Sequence, residues 1–260
     1  MSKFGLVLDR PLMNAAGTLG FAPDSHGPVH LTEFGAFVTN PVSLEPRTPA
    51  HGTRYIPYPG GFLLHTGYPN PGVRAILKKY APAWARSPLG VIVHLLARGP
   101  ADAAEMAQRL ESVEGVIALE IGLDSRMDAA AARTLIAAAA FVELPVIARL
   151  PLERAAWLAA AAIEAGAIAI SFAPPRGALP GPGGAVVRGR LYGPGIFPLA
   201  LAATKAVVEL GVPVIAGGGI YSNENARAVL AAGAMGVQVD SWLWRLGLSP
   251  QAGMLLLRLV

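Results

Sequence analysis

Residues Val212 to Ser241 read VPVIAGGGIYSNENARAVLAAGAMGVQVDS, and this stretch decides the fold class. An apolar run, Val212–Ala216, reads as a buried strand, and three glycines, Gly217–Gly219, follow it. Residues Asn223–Ala232 read as a helix with Ser222 or Asn223 as its N-cap. Gly233 closes that helix, and Gly236–Asp240 reads as a second strand. Strand, loop, helix and strand in this order form the repeating unit of an α/β barrel. Glycines after a barrel strand let the backbone approach a ligand and aim N–H groups at it. Loops after the seventh and eighth strands of such barrels commonly hold phosphate. The stretch therefore reads as a phosphate cradle in the C-terminal half. A tight turn that needs only positive φ is the competing reading.

The rest of the chain supplies the other units. Strands are expected at Phe4–Leu8, Leu12–Ala15, Ala36–Thr39, Gly90–Leu95, Gly115–Ile121, Pro145–Leu150 and Ala167–Phe172, the first of them plugging or flanking the barrel. Helices are expected to end at Phe34 and to span Val73–Trp84, Ala101–Leu110, Asp128–Phe141, Glu153–Ala165 and Phe197–Leu210. Asn70 and Pro71 read as N-cap and N1 of the Val73 helix. The stretches Pro41–Gly72 and Ala173–Gly195 read as long loops rich in Gly and Pro, a kind usually tied to function. The expected fold is a single-domain TIM (β/α)8 barrel over residues 1–260.

Composition narrows the chemistry. The chain has 260 residues, ample for one barrel, and is 53% hydrophobic with much of the excess in alanine. No apolar window is long enough for a transmembrane helix, because Glu164 and Gly166 interrupt the most apolar one. MSKFGLVLDRP lacks a signal-peptide core, so a cytoplasmic location is expected. The absence of cysteine excludes disulfides, thiolate metal sites and a cysteine nucleophile. The net charge is +4, and the arginines that dominate it are scattered without interleaved aromatics, which argues against a nucleic-acid partner. No HExxH motif or comparable cluster suggests a metal.

Alternation along strands selects the inward side chains. Ala118, Glu120 and Gly122 share one face of the fourth strand, and Ile147 and Arg149 one face of the fifth. Glu120 and Arg149 lie near the C-terminal rim, where barrel enzymes place their sites. If both point inward, they form a buried ion pair.

With these residues in view, the chain resembles the dihydroorotate dehydrogenase family, most closely its soluble class 1 members. The likeness rests on Met13-Asn14-Ala15-Ala16-Gly17-Thr18, Gly35–Thr39 with Leu44–Arg47, and Gly60-Gly61 with Gly67–Gly72. It continues through Pro145–Leu150, Gly193–Ile196 with Pro198, Gly217–Ile220, and Gly233-Ala234 with Val237–Val239. The resemblance implies an FMN-dependent oxidoreductase that oxidises dihydroorotate to orotate in pyrimidine biosynthesis, a small-molecule substrate and a homodimer. Ala16 and Gly17 would lie against the flavin ring, with Asn40 and Arg149 where the family carries lysines. Gly193, Gly218, Gly219 and Ser241 would receive the ribityl-phosphate. Asp240 replaces a family glycine beside that phosphate.

The substrate side departs from the family pattern. Family asparagines are replaced by Leu64 and Glu120, and Leu123 stands at the position of the catalytic Cys or Ser. Ser125 and Asp124 are the candidate replacement bases, and Asn70, His65 and Glu120 the candidate substrate contacts. Each has a plain structural alternative: helix capping for Asp124 and Ser125, a solvated loop residue for His65, an internal bridge for Glu120 and Arg149. An altered substrate, or a catalytically silent paralogue serving as a ligand-binding subunit, is the expected consequence.

Overall fold

The computed structural model describes residues 5–24, 27 and 29–246. Eight parallel strands form one sheet: β1 (Leu12–Asn14), β2 (Phe37–Val38), β5 (Val91–Leu95), β6 (Val116–Gly122), β7 (Val146–Pro151), β8 (Ala169–Ala173), β11 (Val214–Gly217) and β12 (Gly236–Val239). Their order is β1-β12-β11-β8-β7-β6-β5-β2, which brings the first two strands of the chain together at a seam. Helices α1 (Val73–Ala85), α2 (Pro100–Glu111), α3 (Ala129–Ala139), α4 (Ala155–Glu164), α5 (Phe197–Val208) and α6 (Asn223–Ala231) alternate with the strands, and α7 (Leu243–Leu246) follows β12. This is the expected (β/α)8 barrel.

Alanine has a structural use here. Ala103 and Ala107 on α2, Ala132 and Ala139 on α3, and Ala155, Ala159 and Ala162 on α4 are all buried. Small side chains on the inner faces let these helices lie close to the sheet. Asp128 caps α3 by accepting from the Ala131 N–H at 2.8 Å, and Ser222 caps α6 by accepting from Asn225 at 3.2 Å.

Three expectations are corrected. Phe4 lies outside the described residues, and Gly5–Leu8 form no strand, although Leu6 and Leu8 still pack on the core. Asn70 does not cap α1; Gly72 holds that position without a side-chain bond. Asn70 Oδ1 instead accepts from the Gly72 and Ser43 N–H groups and from Ser43 Oγ, pinning the chain that leads into the helix. Finally, each of the two long loops carries a β-hairpin. The first contains β3 (Tyr55–Tyr58) and β4 (Gly61–Leu64), the second β9 (Arg176–Pro180) and β10 (Val186–Tyr192). The two hairpins join as an antiparallel sheet in the order β3-β4-β10-β9. Their junction depends on missing side chains: a Cβ on Gly61 would lie 1.9 Å from the Tyr192 carbonyl oxygen, and one on Gly193 would lie 2.4 Å from that of Gly60.

The seam between β1 and β2 is closed by a side chain. Only one bridge, Met13 to Ala36, links these strands by backbone pairing, supplemented by Gly35 N–H to the Leu12 carbonyl. Buried Asn14 completes it, donating from Nδ2 to the Val38 carbonyl at 2.6 Å and accepting the Val38 N–H at 2.9 Å. Asn14→Ala would leave both Val38 groups buried without partners, at about 1–3 kcal/mol each. We therefore expect a loss of about 2–6 kcal/mol in chemical denaturation. A loss below about 1 kcal/mol would show that the seam closes without the amide.

Candidate functional site

At the C-terminal end of the barrel, one carboxylate gathers side chains from four other strands. Glu120 on β6 is fully buried. Its Oε2 accepts from His94 Nδ1 on β5 at 2.6 Å and from Arg149 Nη1 on β7 at 3.2 Å. Its Oε1 accepts from Ser171 Oγ on β8 at 2.6 Å and Gln238 Nε2 on β12 at 2.7 Å. Strand alternation brings them together, since each occupies an inward position. The expected Glu120–Arg149 pair is present, and it is part of a larger group.

Electrostatics fix the protonation states. Burial works to raise the Glu120 pKa, but the Arg149 charge and the His94 and Ser171 hydrogen bonds outweigh it. The carboxyl is held well below the usual range. Burial likewise disfavours the Arg149 cation, and the Glu120 charge more than restores it. Burial pushes His94 down, against the pull of Glu120, so its imidazole is neutral.

Above this group lies a cavity of about 510 Å³. Its wall combines barrel residues such as His94, Leu123 and Arg149 with the hairpin residues Leu64, Gly189, Arg190 and Tyr192. Six arginines line it, Arg47, Arg98, Arg126, Arg149, Arg176 and Arg190, against one acid, Asp124. Arg98 is paired with Asp102, Arg126 with Asp124 and Arg149 with Glu120. Among the described residues, Arg47, Arg176 and Arg190 form no close ion pair, although the Arg176 charge acts on Asp124. Arg190 stands over the Tyr68 ring and donates from Nη1 to the Pro174 carbonyl, while its buried Nε has no acceptor. Such a cavity favours anions.

The expected residues divide among distinct places. Ala16, His65 and Asp124 line the cavity with Arg149, whereas Ser125 and Asn70 do not. Asp124 is held by Arg126 Nε and the Arg126 N–H, both at 2.9 Å, and those bonds lower its pKa. The Ser125 carbonyl accepts from Arg154. Asn70 is committed to the loop before α1, as described, and its Nδ2 donates to the Tyr68 carbonyl. Asn40 Oδ1 accepts from the Gly20 N–H at 3.2 Å, holding the Ala16–Gly20 segment, in which Gly17 has a φ of 89°.

The glycine turn is not part of the cavity lining, and Gly219 packs beside Gly193. Gly218 and Gly219 have φ of 109° and 67°. A Cβ on Gly219 would sit 2.3 Å from the Phe197 backbone nitrogen, so the turn packs on the start of α5. Over Gly218 a Cβ would meet only ordinary contacts. Among the described residues, neither N–H has a protein acceptor. Ser241 is differently placed. Its N–H and Oγ bond to Asp240 Oδ1 at 2.5 and 3.0 Å, and its Oγ also meets the Tyr221 hydroxyl at 2.8 Å. Burial raises the Asp240 pKa, opposed by the Ser241 hydrogen bonds. Tyr192 stacks on Phe62 at 5.5 Å, and Trp244 lies 6.0 Å from both rings while donating from Nε1 to the Thr18 carbonyl.

Sequence reasoning missed His94, Gln238 and the hairpin residues Arg190 and Tyr192. The alternation used for the fourth and fifth strands also places His94 inward on the third. The hairpin residues gave no such signal, because β4 and β10 are distant in sequence.

Fold and site together define an α/β-barrel protein with an anion-favouring cavity at the mouth and a glycine turn beside it. Comparison with known proteins makes this more specific. Residues 2–125 match the family model described as dihydroorotate dehydrogenase. The "Dihydroorotate dehydrogenase B (NAD(+)), catalytic subunit" of Pelobacter propionicus is 33% identical, over 91% of this chain and 84% of that one. The "Putative dihydroorotate dehydrogenase A (fumarate)" of Aeropyrum pernix is 32% identical, over 93% and 85%. The crystal structure of a dihydroorotate dehydrogenase from Eimeria tenella in complex with ferulenol superposes with a TM-score of 0.75 at 15% identity, over 95% of this chain and 79% of that one, a likeness of fold. The chain belongs to the dihydroorotate dehydrogenase family.

The buried group makes a specific demand. Glu120→Gln would leave the Arg149 cation buried without its counter-charge, at about 3–5 kcal/mol. Glu120→Gln with Arg149→Met, which removes both charges, should recover most of that loss in chemical denaturation. Additive losses in the double variant would show that the two residues are not coupled.

Proposed function

We propose that the chain is an FMN-dependent oxidoreductase of the dihydroorotate dehydrogenase type, acting on a small anion other than dihydroorotate. The observation that carries the cofactor is the pair of free N–H groups at Gly218 and Gly219, which suits a phosphate. Ala16 and Gly17 supply a small-residue shelf for a flat ring, and Arg149 a cation at its edge. Ser241 contributes little, because its donors are committed to Asp240. The residues thus fit FMN at the phosphate and at the ring, with the phosphate held by the glycine turn.

When bound, the flavin supplies hydride acceptance. The chain's own residues do the rest. Arg47, Arg176 and Arg190 attract and orient the anion, and the four-stranded hairpin sheet limits access of water. Leu64 and Leu123 present apolar surface in the cavity where the family carries polar groups. That difference, with Asn70 committed elsewhere, supports a changed substrate. Arg149, its charge largely balanced by Glu120, would hold the ring edge of a bound flavin through directed N–H groups more than through net charge. A homodimer and a cytoplasmic location complete the reading. Among the described residues no helix is long and apolar enough to cross a membrane.

A second reading, a catalytically silent ligand-binding paralogue, draws on one observation. Asp124, the acidic candidate in the loop after β6, is tied to Arg126.

Fluorescence titration with FMN tests the cofactor. Wild type should bind FMN more tightly than riboflavin. Gly218→Asp should abolish binding, through like charge and a side chain at positive φ. Asp240→Asn should tighten it about tenfold by removing a neighbouring carboxylate. A wild-type chain that takes up no FMN, or that binds riboflavin equally well, would contradict the proposal.

A further inference from the structure

We infer that His94 is the proton acceptor of the cavity, held in its working form by Glu120. The inference rests on reading the cavity as a substrate site, and it supplies the base that the loop after β6 lacks.

The geometry determines which nitrogen carries the proton. Glu120 is ionised and only accepts hydrogen bonds, so His94 Nδ1, 2.6 Å from Oε2, must be the donor. In a neutral imidazole the lone pair then resides on Nε2. Nε2 makes no hydrogen bond to a described residue, and His94 lines the cavity although only 5% exposed. The ring edge fits because the next strand offers no side chain there: a Cβ on Gly122 would stand 3.1 Å from both Cε1 and Nε2. The accepting nitrogen lies beside Gly122, which itself lines the cavity, and the ring is oriented by a carboxylate behind it. This is the acid–histidine arrangement by which many active sites prepare a base.

The other groups near the cavity are less suited. Glu120 is fully buried and holds four hydrogen bonds. Asp124 is tied to Arg126. His65 lines the cavity, but among the described residues nothing bonds its ring to fix a tautomer.

In the step itself, a proton from an acidic C–H or N–H of the bound anion passes to Nε2. The bond to substrate breaks, the N–H bond forms, and the electron pair stays on the substrate. His94 becomes an imidazolium beside Glu120, and the proton then leaves to water. The charged groups facing His94 are Glu120 on β6, Arg149 on β7 and Arg190 on β10. The two arginines and burial oppose the imidazolium, which keeps the base free at neutral pH and makes it return its proton readily.

The test is carbethoxylation of the purified protein across pH, with or without bound flavin, followed by peptide mapping at all five histidines. Nitrogen NMR of histidine-labelled protein reads the tautomer in parallel. His94 should react while the protein is folded, at a rate that falls as pH drops through a midpoint below 6.5. Its spectrum at neutral pH should show Nδ1–H with Nε2 unprotonated, the reverse of the form a solvated imidazole prefers. A His94 that reacts only after denaturation, carries its proton on Nε2, or is an imidazolium at neutral pH overturns the inference. Neither readout needs flavin, so failure to bind FMN together with a reactive His94 would refute the proposed cofactor and leave His94 as the acceptor.

Discussion

A single buried negative charge organises the mouth of this barrel. Glu120 is removed from water, and a carboxylate so placed is tolerated only if cations and donors replace its hydration. His94, Arg149, Ser171 and Gln238 do so from four different strands. Each of these residues would itself be costly to bury alone. The result ties five of the eight barrel strands through side chains and favours an ionised Glu120, a charged Arg149 and a neutral His94. It also sets what the cavity above can do. Arg149 reaches the cavity with its charge balanced, and His94 reaches it with a free nitrogen. The remaining positive field comes from the arginines around the cavity wall.

The hairpin sheet supplies one wall of the cavity at this polar end. Two hairpins, each weak alone, become a four-stranded sheet when β4 pairs with β10. The pairing requires backbones to touch at Gly61 and Gly193, and it places Arg190 and Tyr192 over the barrel. Tyr192 lines the cavity, and Gly193, next in the chain, packs against the glycine turn. The site therefore has two compartments, an arginine-rich cavity and a backbone-lined turn, suited to different parts of bound molecules.

Much of the fold was legible because barrel units are local. Strand Val214–Gly217, its glycine turn and helix Asn223–Ala231 lie next to one another in sequence, and each boundary carries its own signal. The Glu120–Arg149 pair was legible from period-two alternation alone. Three features were not. The hairpin sheet depends on contacts between residues far apart in sequence, and its prolines and glycines resemble those of a loop. Asn70 looked like a cap because Pro71 follows it, yet the helix begins later and its amide serves the preceding loop. The commitment of Ser241 to Asp240 reflects a choice of rotamer and partner that sequence does not record.

Glu120 stays ionised inside the barrel. A group whose pKa is lowered on folding contributes stability above its unfolded pKa and loses it as pH falls toward the folded value. Carbon NMR of protein labelled at the glutamate carboxyls, with Glu120 assigned by substitution, reads this directly. Its signal should keep the ionised position as pH is lowered past 4.5, changing only when the protein unfolds. A signal that titrates at or above 4.5 in the folded protein would mean that the carboxyl is neutral when buried. The hydrogen-bond directions assigned to His94 and Arg149 would then be wrong.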